Sequence, residues 1–311
     1  MKKFLFLGIA ATAMFASCTN DEMVEMNPSS AIGFETFVDK STRAAEDVTK
    51  ANLTLFEVYG WRTKGLVTEQ IFNAQEVTAA DGVCTYSPLQ YWVGGYAYDF
   101  EAVAPKSGEK GVTFNDSYKA STITFVSDSE TDLIYASASK NLSSSDYGTL
   151  DSDPGKVGLT FGHLLSRVKF TFINGAVAGS AAKIAVTDVK ITNAGTEGVY
   201  TPSTGTWAAA TATGAVSFAS TNITDIEGGN SGETEHKYLI PYNVSGYSVS
   251  FTVTMTQGSV SDSFDYTVTL PTYTLEKGNS YNFKATFNPG EPIVFTADVT
   301  PWNDFTDVTI P

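Results

Sequence analysis

The feature that most constrains the fold of this chain is a strict alternation of apolar and polar residues in its second half. The longest such run extends from Tyr247 to Met255, where every residue between the apolar positions is Ser or Thr. Three further runs share this period: Val168–Phe172, Phe264–Leu270 and Tyr281–Phe287. Because successive side chains of a strand point to opposite faces, the period predicts strands with one buried and one wet face. Such strands are typical of antiparallel sheets.

The composition also favours strands. Aromatic residues make up 13% of the 311 residues, and Thr, Ser and Val are plentiful; branched and aromatic side chains pack well on a pleated surface. A stretch rich in Ser, Asp, Gly and Pro, residues 141–156, separates two strand-rich parts and resembles a linker. We therefore predict an all-β chain with two antiparallel β-sandwich domains in tandem, at residues 48–150 and 157–311.

Residues 1–17 have the proportions of a signal peptide. Two lysines precede an apolar segment that is too short to span a bilayer, and Ala-Ser stands directly before Cys18. This ending resembles a lipobox, which predicts that Cys18 is diacylated and becomes the mature N-terminus; two acyl chains hold a protein on a membrane. An ordinary signal peptide with an incidental cysteine is the alternative. The acidic residues after Cys18 resemble export signals to the outer face of the outer membrane.

Residues 18–47 are predicted to form a tether, a short strand and an exposed loop. Ile32, Phe34 and Val38 alternate imperfectly with their neighbours. The polar stretch after this strand contains Arg43 and the small Ala44, and exposed stretches of this kind are preferred sites of proteolysis.

Near the C-terminus, the apolar positions Ile293, Phe295, Ala297 and Val299 alternate with more polar ones. The run ends at Pro301-Trp302, and a second short strand is predicted from Phe305 to Ile310. One apolar face of this kind suits a strand that pairs either within its own domain or with another molecule.

Several function classes find no support in the sequence. The net charge of −15 opposes nucleic-acid binding, which requires basic surface. His163 and His236 lie far apart, and neither a zinc-ligand spacing nor a nucleophile-elbow motif occurs. We expect no enzyme activity, no metal and no cofactor. His163 is predicted to be a core residue, and Cys84 a small core side chain because no second thiol remains once Cys18 carries lipid.

Five segments, in order, resemble the fimbrillin family of type V pilins. They span nearly the whole chain and are IGFETFVDKSTRA, YAYDFEAVAP, TDLIYASAS, LTFGHLLSRVKFTF and ADVTPWNDF. The resemblance implies transthyretin-like, Greek-key sandwiches and a structural subunit of a surface fimbria that supports adhesion. Its expected partners are other fimbrial subunits and the outer membrane, with the finished protein located in the fimbrium.

The resemblance also implies an assembly mechanism. A protease would cut between Arg43 and Ala44, and the strand containing Ile32, Phe34 and Val38 would leave the first domain. A C-terminal strand from the next subunit, bearing Ile293, Phe295, Ala297 and Val299, would replace it.

Three alternatives remain open. The C-terminal strand could simply close its own domain. The chain could be a fimbrial tip or anchor rather than a stalk subunit. It could also be a glycan-binding surface lipoprotein that uses exposed aromatics such as Trp61, Tyr91, Trp92 and Trp207, although core packing is the commoner role of such residues.

Overall fold

The computed structural model describes residues 31–38, 52–80, 83–146, 150, 152–219, 223–241, 246–270, 274–288 and 291–301. These residues form twenty strands and no helix, so the all-β prediction is confirmed. The strands are β1 (Phe34–Val38), β2 (Leu55–Lys64), β3 (Val67–Ala80), β4 (Val83–Thr85), β5 (Ala97–Ala104), β6 (Val112–Asn115), β7 (Thr122–Val126), β8 (Ile134–Asn141), β9 (Val157–His163), β10 (Ser166–Asn174), β11 (Ala182–Thr201), β12 (Thr206–Trp207), β13 (Ala212–Ser217), β14 (Ile226–Glu227), β15 (Ser231–Glu233), β16 (Lys237–Leu239), β17 (Ser248–Gln257), β18 (Val260–Thr269), β19 (Asn279–Phe287) and β20 (Phe295–Pro301).

The first sheet has the strand order β1-β9-β8-β5-β2-β3-β4. Strand β5 illustrates why it forms, because Tyr98, Phe100 and Ala102 are buried on one face while Asp99 and Glu101 alternate with them on the other. The inner face of this sheet encloses the first core, which contains side chains from β1, β2, β3, β5, β8 and β9.

Two further sheets are built mainly from strands of the second half. One has the order β15-β10-β19-β20, with β16 also paired to β10; the other has the order β18-β17-β11-β7-β6, with β12, β13 and β14 also paired to β11. The second core lies between them and is built from the inward residues of β10, β19 and β20 on one side and β11, β13 and β17 on the other. Three of the alternating runs, in β10, β17 and β19, thus supply its walls, whereas Phe264–Leu270 lies along the edge strand β18, where Phe264 is 46% exposed.

Strand β11 connects the two halves. Its first part pairs with β17, and its last part, from Glu197 to Tyr200, pairs with β7 of the first half. The register shifts between Thr187 and Lys190, and Asp188 there adopts a positive φ of 55°, which marks a β-bulge that bends the strand. A third core lies where the halves meet and contains Tyr59, Trp61, Val103, Val112, Phe114, Ile123, Phe125, Leu133, Leu164, Leu165, Tyr200, Tyr238 and Ile240.

The structure differs from the sequence expectation in two respects. Two of the three sheets are mixed, because β1 pairs with β9 and β10 pairs with β19 in parallel. Alternation reports a half-buried strand and carries no information on the direction of its neighbour. Residues 157–163, which the sequence assigned to the second domain, form β9 and pair with β1 and β8 of the first sheet. A turn-rich stretch marks a chain reversal, but it does not tell which sheet the next strand joins.

Candidate functional site

Strand β1 lies at one edge of the first sheet. It pairs in parallel with β9, with Phe34 opposite Val157 and Val38 opposite Phe161. The Val157 amide donates to the Gly33 carbonyl at 2.8 Å, which begins the ladder. The strand is therefore joined to the sheet along one side, and its departure would break one ladder.

The start of β1 is also held from its other side. The Ile32 amide donates to the Gln90 carbonyl at 2.8 Å, and the Tyr86 hydroxyl donates to the Ile32 carbonyl at 2.6 Å. Ala31 forms an isolated antiparallel bridge with Tyr91. These contacts fix the position of the strand along the groove, so the inward side chains meet defined partners.

The inward side chains of β1 are part of the first core. Ile32 and Phe34 are each 1% exposed, Thr36 is also buried, and Val38 packs against the core while partly exposed. Phe37 points away and is 45% exposed. The period that looked imperfect in the sequence is thus regular, with positions 32, 34, 36 and 38 facing inward and a threonine occupying one of them.

Phe34 is the centre of an aromatic cluster. Its ring lies 5.5 Å from that of Phe72, 5.6 Å from Tyr86 and 5.9 Å from Phe100, mostly in edge-to-face or tilted arrangements. Gly60 makes room for this cluster, because a Cβ at Gly60 would come within 2.8 Å of Phe72 and 3.0 Å of Phe100. Without Phe34, three aromatic rings would line an open groove.

Cys84, on β4, is partly buried and packs against the same core. This agrees with its expected role as a small core side chain.

Strand β20 is the corresponding edge strand of a sheet in the second half. It pairs antiparallel with β19, with Phe283 opposite Ala297 and Ala285 opposite Phe295. Phe295 is buried, and its ring lies 5.6 Å from Phe170, 6.1 Å from Phe172 and 5.9 Å from Phe251. In the chain alone, this strand therefore closes its own sheet.

The remaining positions of the predicted donor strand are less buried than Phe295. Ile293 and Ala297 are partly buried against the second core, and Val299 is 44% exposed. On the outer face Lys284 and Asp298 form an ion pair at 2.8 Å. The strand is thus held mainly by its ladder and by one large side chain.

Three predicted site residues, Cys18, Arg43 and Ala44, lie outside the described residues, as does the predicted strand Phe305–Ile310. The described part of β1 ends at Val38, five positions before Arg43 in the sequence.

His163 lies in the interior, as the sequence predicted. Its Nδ1 is 2.8 Å from Oδ2 of Asp132, and both side chains are almost completely buried. This pair joins the end of β9 to the segment before β8. Sequence reasoning missed Asp132, because a partner 31 positions away leaves no local pattern.

The three tryptophans that the structure describes, Trp61, Trp92 and Trp207, do not form a common surface. Trp61 and Trp92 are buried in different cores, and the Trp207 indole donates to the Leu164 carbonyl at 2.7 Å. Within the described ranges, no group of three or more His, Cys, Asp or Glu side chains could hold a metal ion. No helix of sufficient length and apolarity to cross a membrane occurs among those residues either.

Comparisons with known proteins point to one family. The family model described as fimbrillin-like matches residues 42–302. A fimbrium subunit, Fim1C, from Phocaeicola vulgatus is 25% identical over 371 aligned positions, covering 98% of this chain and 97% of that protein.

Two crystal structures share the fold. One is a candidate cell adhesion protein from Bacteroides ovatus, with 15% identity and a TM-score of 0.51, covering 88% of this chain and 97% of that one. The other is a candidate cell adhesion protein from Bacteroides uniformis, with 19% identity and a TM-score of 0.50, covering 89% and 99%. Since the family model spans most of the sequence and the resemblance found in the sequence leads to the same group, the chain belongs to the fimbrillin-like family.

Proposed function

We propose that this protein is a structural subunit of a surface fimbria that supports adhesion, and that it assembles by proteolysis-triggered strand exchange. In this mechanism β1 leaves the first sheet after cleavage between Arg43 and Ala44. The β20 region of a neighbouring subunit then enters the vacated groove. Family membership supports the fimbrial role, and the properties of the two edge strands support the mechanism.

One observation is the main support for the proposed strand exchange. The inward positions of β1 are Ile32, Phe34, Thr36 and Val38, and the predicted donor face is Ile293, Phe295, Ala297 and Val299. The two sets share the same spacing, the same residue at three of four positions and a small side chain at the remaining one. An incoming strand in this register would offer Phe295 to the pocket that Phe34 occupies.

The energetics make the replacement favourable once β1 has gone. Burial of a large apolar side chain contributes roughly 1.5–3 kcal/mol, so loss of Ile32 and Phe34 would remove several kcal/mol from a domain whose total stability is about 5–15 kcal/mol. Departure would also expose unpaired backbone groups of β9. A strand that restores both the ladder and the side chains is therefore a suitable ligand for the opened groove.

The exchange is directional and does not close on itself. The donor lies at the end of the second half and the acceptor groove lies in the first half, so each subunit can give one strand and accept another. A head-to-tail contact of this kind propagates into a fibre.

Export and membrane anchoring precede the strand exchange. Residues 1–17 direct export as a signal peptide, and acyl chains on Cys18 hold the precursor at the outer membrane until it is cut. The two halves act as tandem transthyretin-like sandwich domains, whose shared core keeps groove and donor strand in a fixed relation.

A disulfide trap tests the mechanism and its register. If Phe295 takes the place of Phe34, Asp298 of one subunit takes the place of Phe37 and lies opposite Thr160 of the next, because Phe37 and Thr160 are register partners. The variant combining Thr160→Cys with Asp298→Cys, in a Cys84→Ala background, should form a covalent ladder on a non-reducing gel.

The matched control combines Thr160→Cys with Thr296→Cys, which lies two positions out of register and should leave single bands. Adding Arg43→Ala to the first pair should abolish the ladder, and the N-terminus of the wild-type surface protein should be Ala44. A ladder independent of register or of Arg43 would contradict the proposal. A lipidated Cys18 on a monomeric product would assign the chain to an anchor role instead.

A further inference from the structure

A cleft of about 320 Å³ opens on the outer face of the first sheet, opposite to the first core. Its floor is formed by β5 and β8, one wall by the loop between β6 and β7, and the other by the turn that contains Pro202 and Ser203. This volume is at the lower end of the range of small-molecule sites, roughly 300–1,000 Å³. The cleft lies apart from β1 and β20, so a ligand could bind there whether or not strands are exchanged.

The floor carries two carboxylates on the same face. Asp99 and Glu101 alternate with the buried Tyr98 and Phe100 along β5, so both point into the cleft. Asp99 stands in register with Ser139, and Glu101 with Ser137, on the neighbouring strand β8. The pleat therefore produces two adjacent rows of acceptor and hydroxyl groups.

Hydroxyl groups hold both carboxylates in place. Asp99 accepts from Tyr118 at 3.0 Å and from Ser139 at 2.7 Å. Glu101 accepts from Ser121 at 2.5 Å and from Tyr135 at 2.6 Å. A carboxylate has about four lone-pair sites, so each retains acceptor capacity in a fixed orientation. Pre-organised acceptors bind a ligand donor at a smaller entropic cost.

Aromatic surface lies beside these acceptors. Tyr118 and Tyr135 are half-buried and line the cleft, and the ring of Trp61 lies 6.0 Å from that of Tyr118. Aromatic rings provide large apolar faces next to polar tips. Walls that combine carboxylates, hydroxyls and aromatic faces match a molecule that has hydroxyl donors around an apolar ring face.

The negative charge of the cleft favours a ligand that carries no negative charge. Two carboxylates face a single ammonium group, that of Lys119, which lies over the Tyr118 ring at the rim. An anionic ligand would be repelled. We propose that this cleft binds a neutral saccharide, with Asp99 and Glu101 accepting hydrogen bonds from its hydroxyl groups and Tyr118 packing against a ring face.

The test uses the full chain and three named probes: methyl α-mannoside, methyl β-galactoside and methyl N-acetyl-β-glucosaminide. Saturation-transfer difference NMR detects binding, and titration gives the Kd. At least one probe should bind, and Asp99→Asn should raise its Kd about tenfold, the loss of one charge-assisted hydrogen bond. Ser203→Trp should raise the Kd at least as much, because it fills the mouth from an exposed turn position and leaves the core intact.

The matched control is Asp265→Asn. Asp265 also accepts from a hydroxyl on a neighbouring strand, Thr252 at 2.7 Å, but it lies on the exposed β18. The Kd of the Asp265→Asn variant for the bound saccharide should equal that of the wild type. Failure of all three probes to bind, or binding that is insensitive to both Asp99→Asn and Ser203→Trp, would overturn the proposal. A preference for sialyllactose, or a calcium-induced rise in Tm that Asp99→Asn removes, would overturn it as well.

Discussion

Strands β1 and β20 carry nearly the same inward residues in two different settings. Phe34 and Phe295 are both buried among aromatic rings. However, β1 joins its sheet in parallel and is held at its start from a second side, whereas β20 is antiparallel and has a half-exposed Val299 at its end. Similar inward residues thus occur in strands that differ in the direction of pairing and in the number of backbone contacts that hold them.

The largest effects are expected from truncation of the two buried phenylalanines, Phe34 and Phe295. Phe34→Ala and Phe295→Ala should each destabilise the uncleaved chain by about 3–5 kcal/mol, since both empty a buried aromatic site. Urea unfolding measures this change in the free energy of unfolding. If the proposed strand exchange occurs, the two variants should differ in assembly, because a processed subunit would lack Phe34 but would donate Phe295. Phe295→Ala should abolish the ladder on an unheated gel, whereas processed subunits from Phe34→Ala should still form it. Equal loss of assembly in both variants would contradict strand exchange.

A smaller effect tests the floor of the groove beneath β1. Gly60→Ala would push a methyl group into Phe72 and Phe100 and should cost about 1–3 kcal/mol in unfolding free energy. Gly158→Ala on the neighbouring strand β9 is the matched control, because its added Cβ would lie beside the outward side chains of β1 and approach Glu35 and Phe37 no closer than 3.8 Å. It should be neutral or stabilising. Comparable losses in both variants would show that the groove is not tightly packed.

A pH titration tests the hydrogen bond between Tyr135 and Glu101 in the first half. Burial and the neighbouring Glu101 raise the pKa of the Tyr135 hydroxyl above its ordinary value. The stability that this neutral hydroxyl contributes is fully present below pH about 10, the ordinary pKa of tyrosine, and is lost as the pH rises further. Tyr135→Phe should cost about 1 kcal/mol at neutral pH and should flatten part of the alkaline decline measured by urea unfolding. An unchanged alkaline decline would argue against this role.

The smallest effects are expected at the exposed apolar side chains of the two strands, Phe37 on the outer face of β1 and Val299 near the end of β20. Phe37→Ser and Val299→Ser alter side chains that are 45% and 44% exposed, so each should change the unfolding free energy by less than about 0.5 kcal/mol. Val299→Ser should nevertheless weaken assembly if Val299 takes the inward place of Val38 in the next subunit. A ladder as heat-stable as that of the wild type would remove Val299 from the donor face.

Much of the fold could be predicted because alternation is local. The runs at Tyr247–Met255 and Tyr281–Phe287 lie within β17 and β19 or directly beside them, and their apolar residues are buried in the second core except for Met255, which is 38% exposed. The alternation of β1 looked imperfect in the sequence because position 36, which faces inward, is a threonine. In a sequence, a buried polar residue cannot be told from one that faces outward. The cleft at Asp99 and Glu101 could not be predicted, because its floor and walls come from β5, β8, the loop between β6 and β7 and the turn at Pro202, which are distant along the chain.

The sequence by itself determined the strand-rich fold, the inward residues of several strands and membership of the fimbrillin-like family, because these depend on side-chain periodicity and on short segments in a fixed order. Only the tertiary structure decided that β1 runs parallel to β9, that β9 belongs to the first sheet and that β11 joins the halves. Strand direction and sheet membership depend on backbone hydrogen bonds between distant segments, and every residue except proline offers the same donor and acceptor to such bonds.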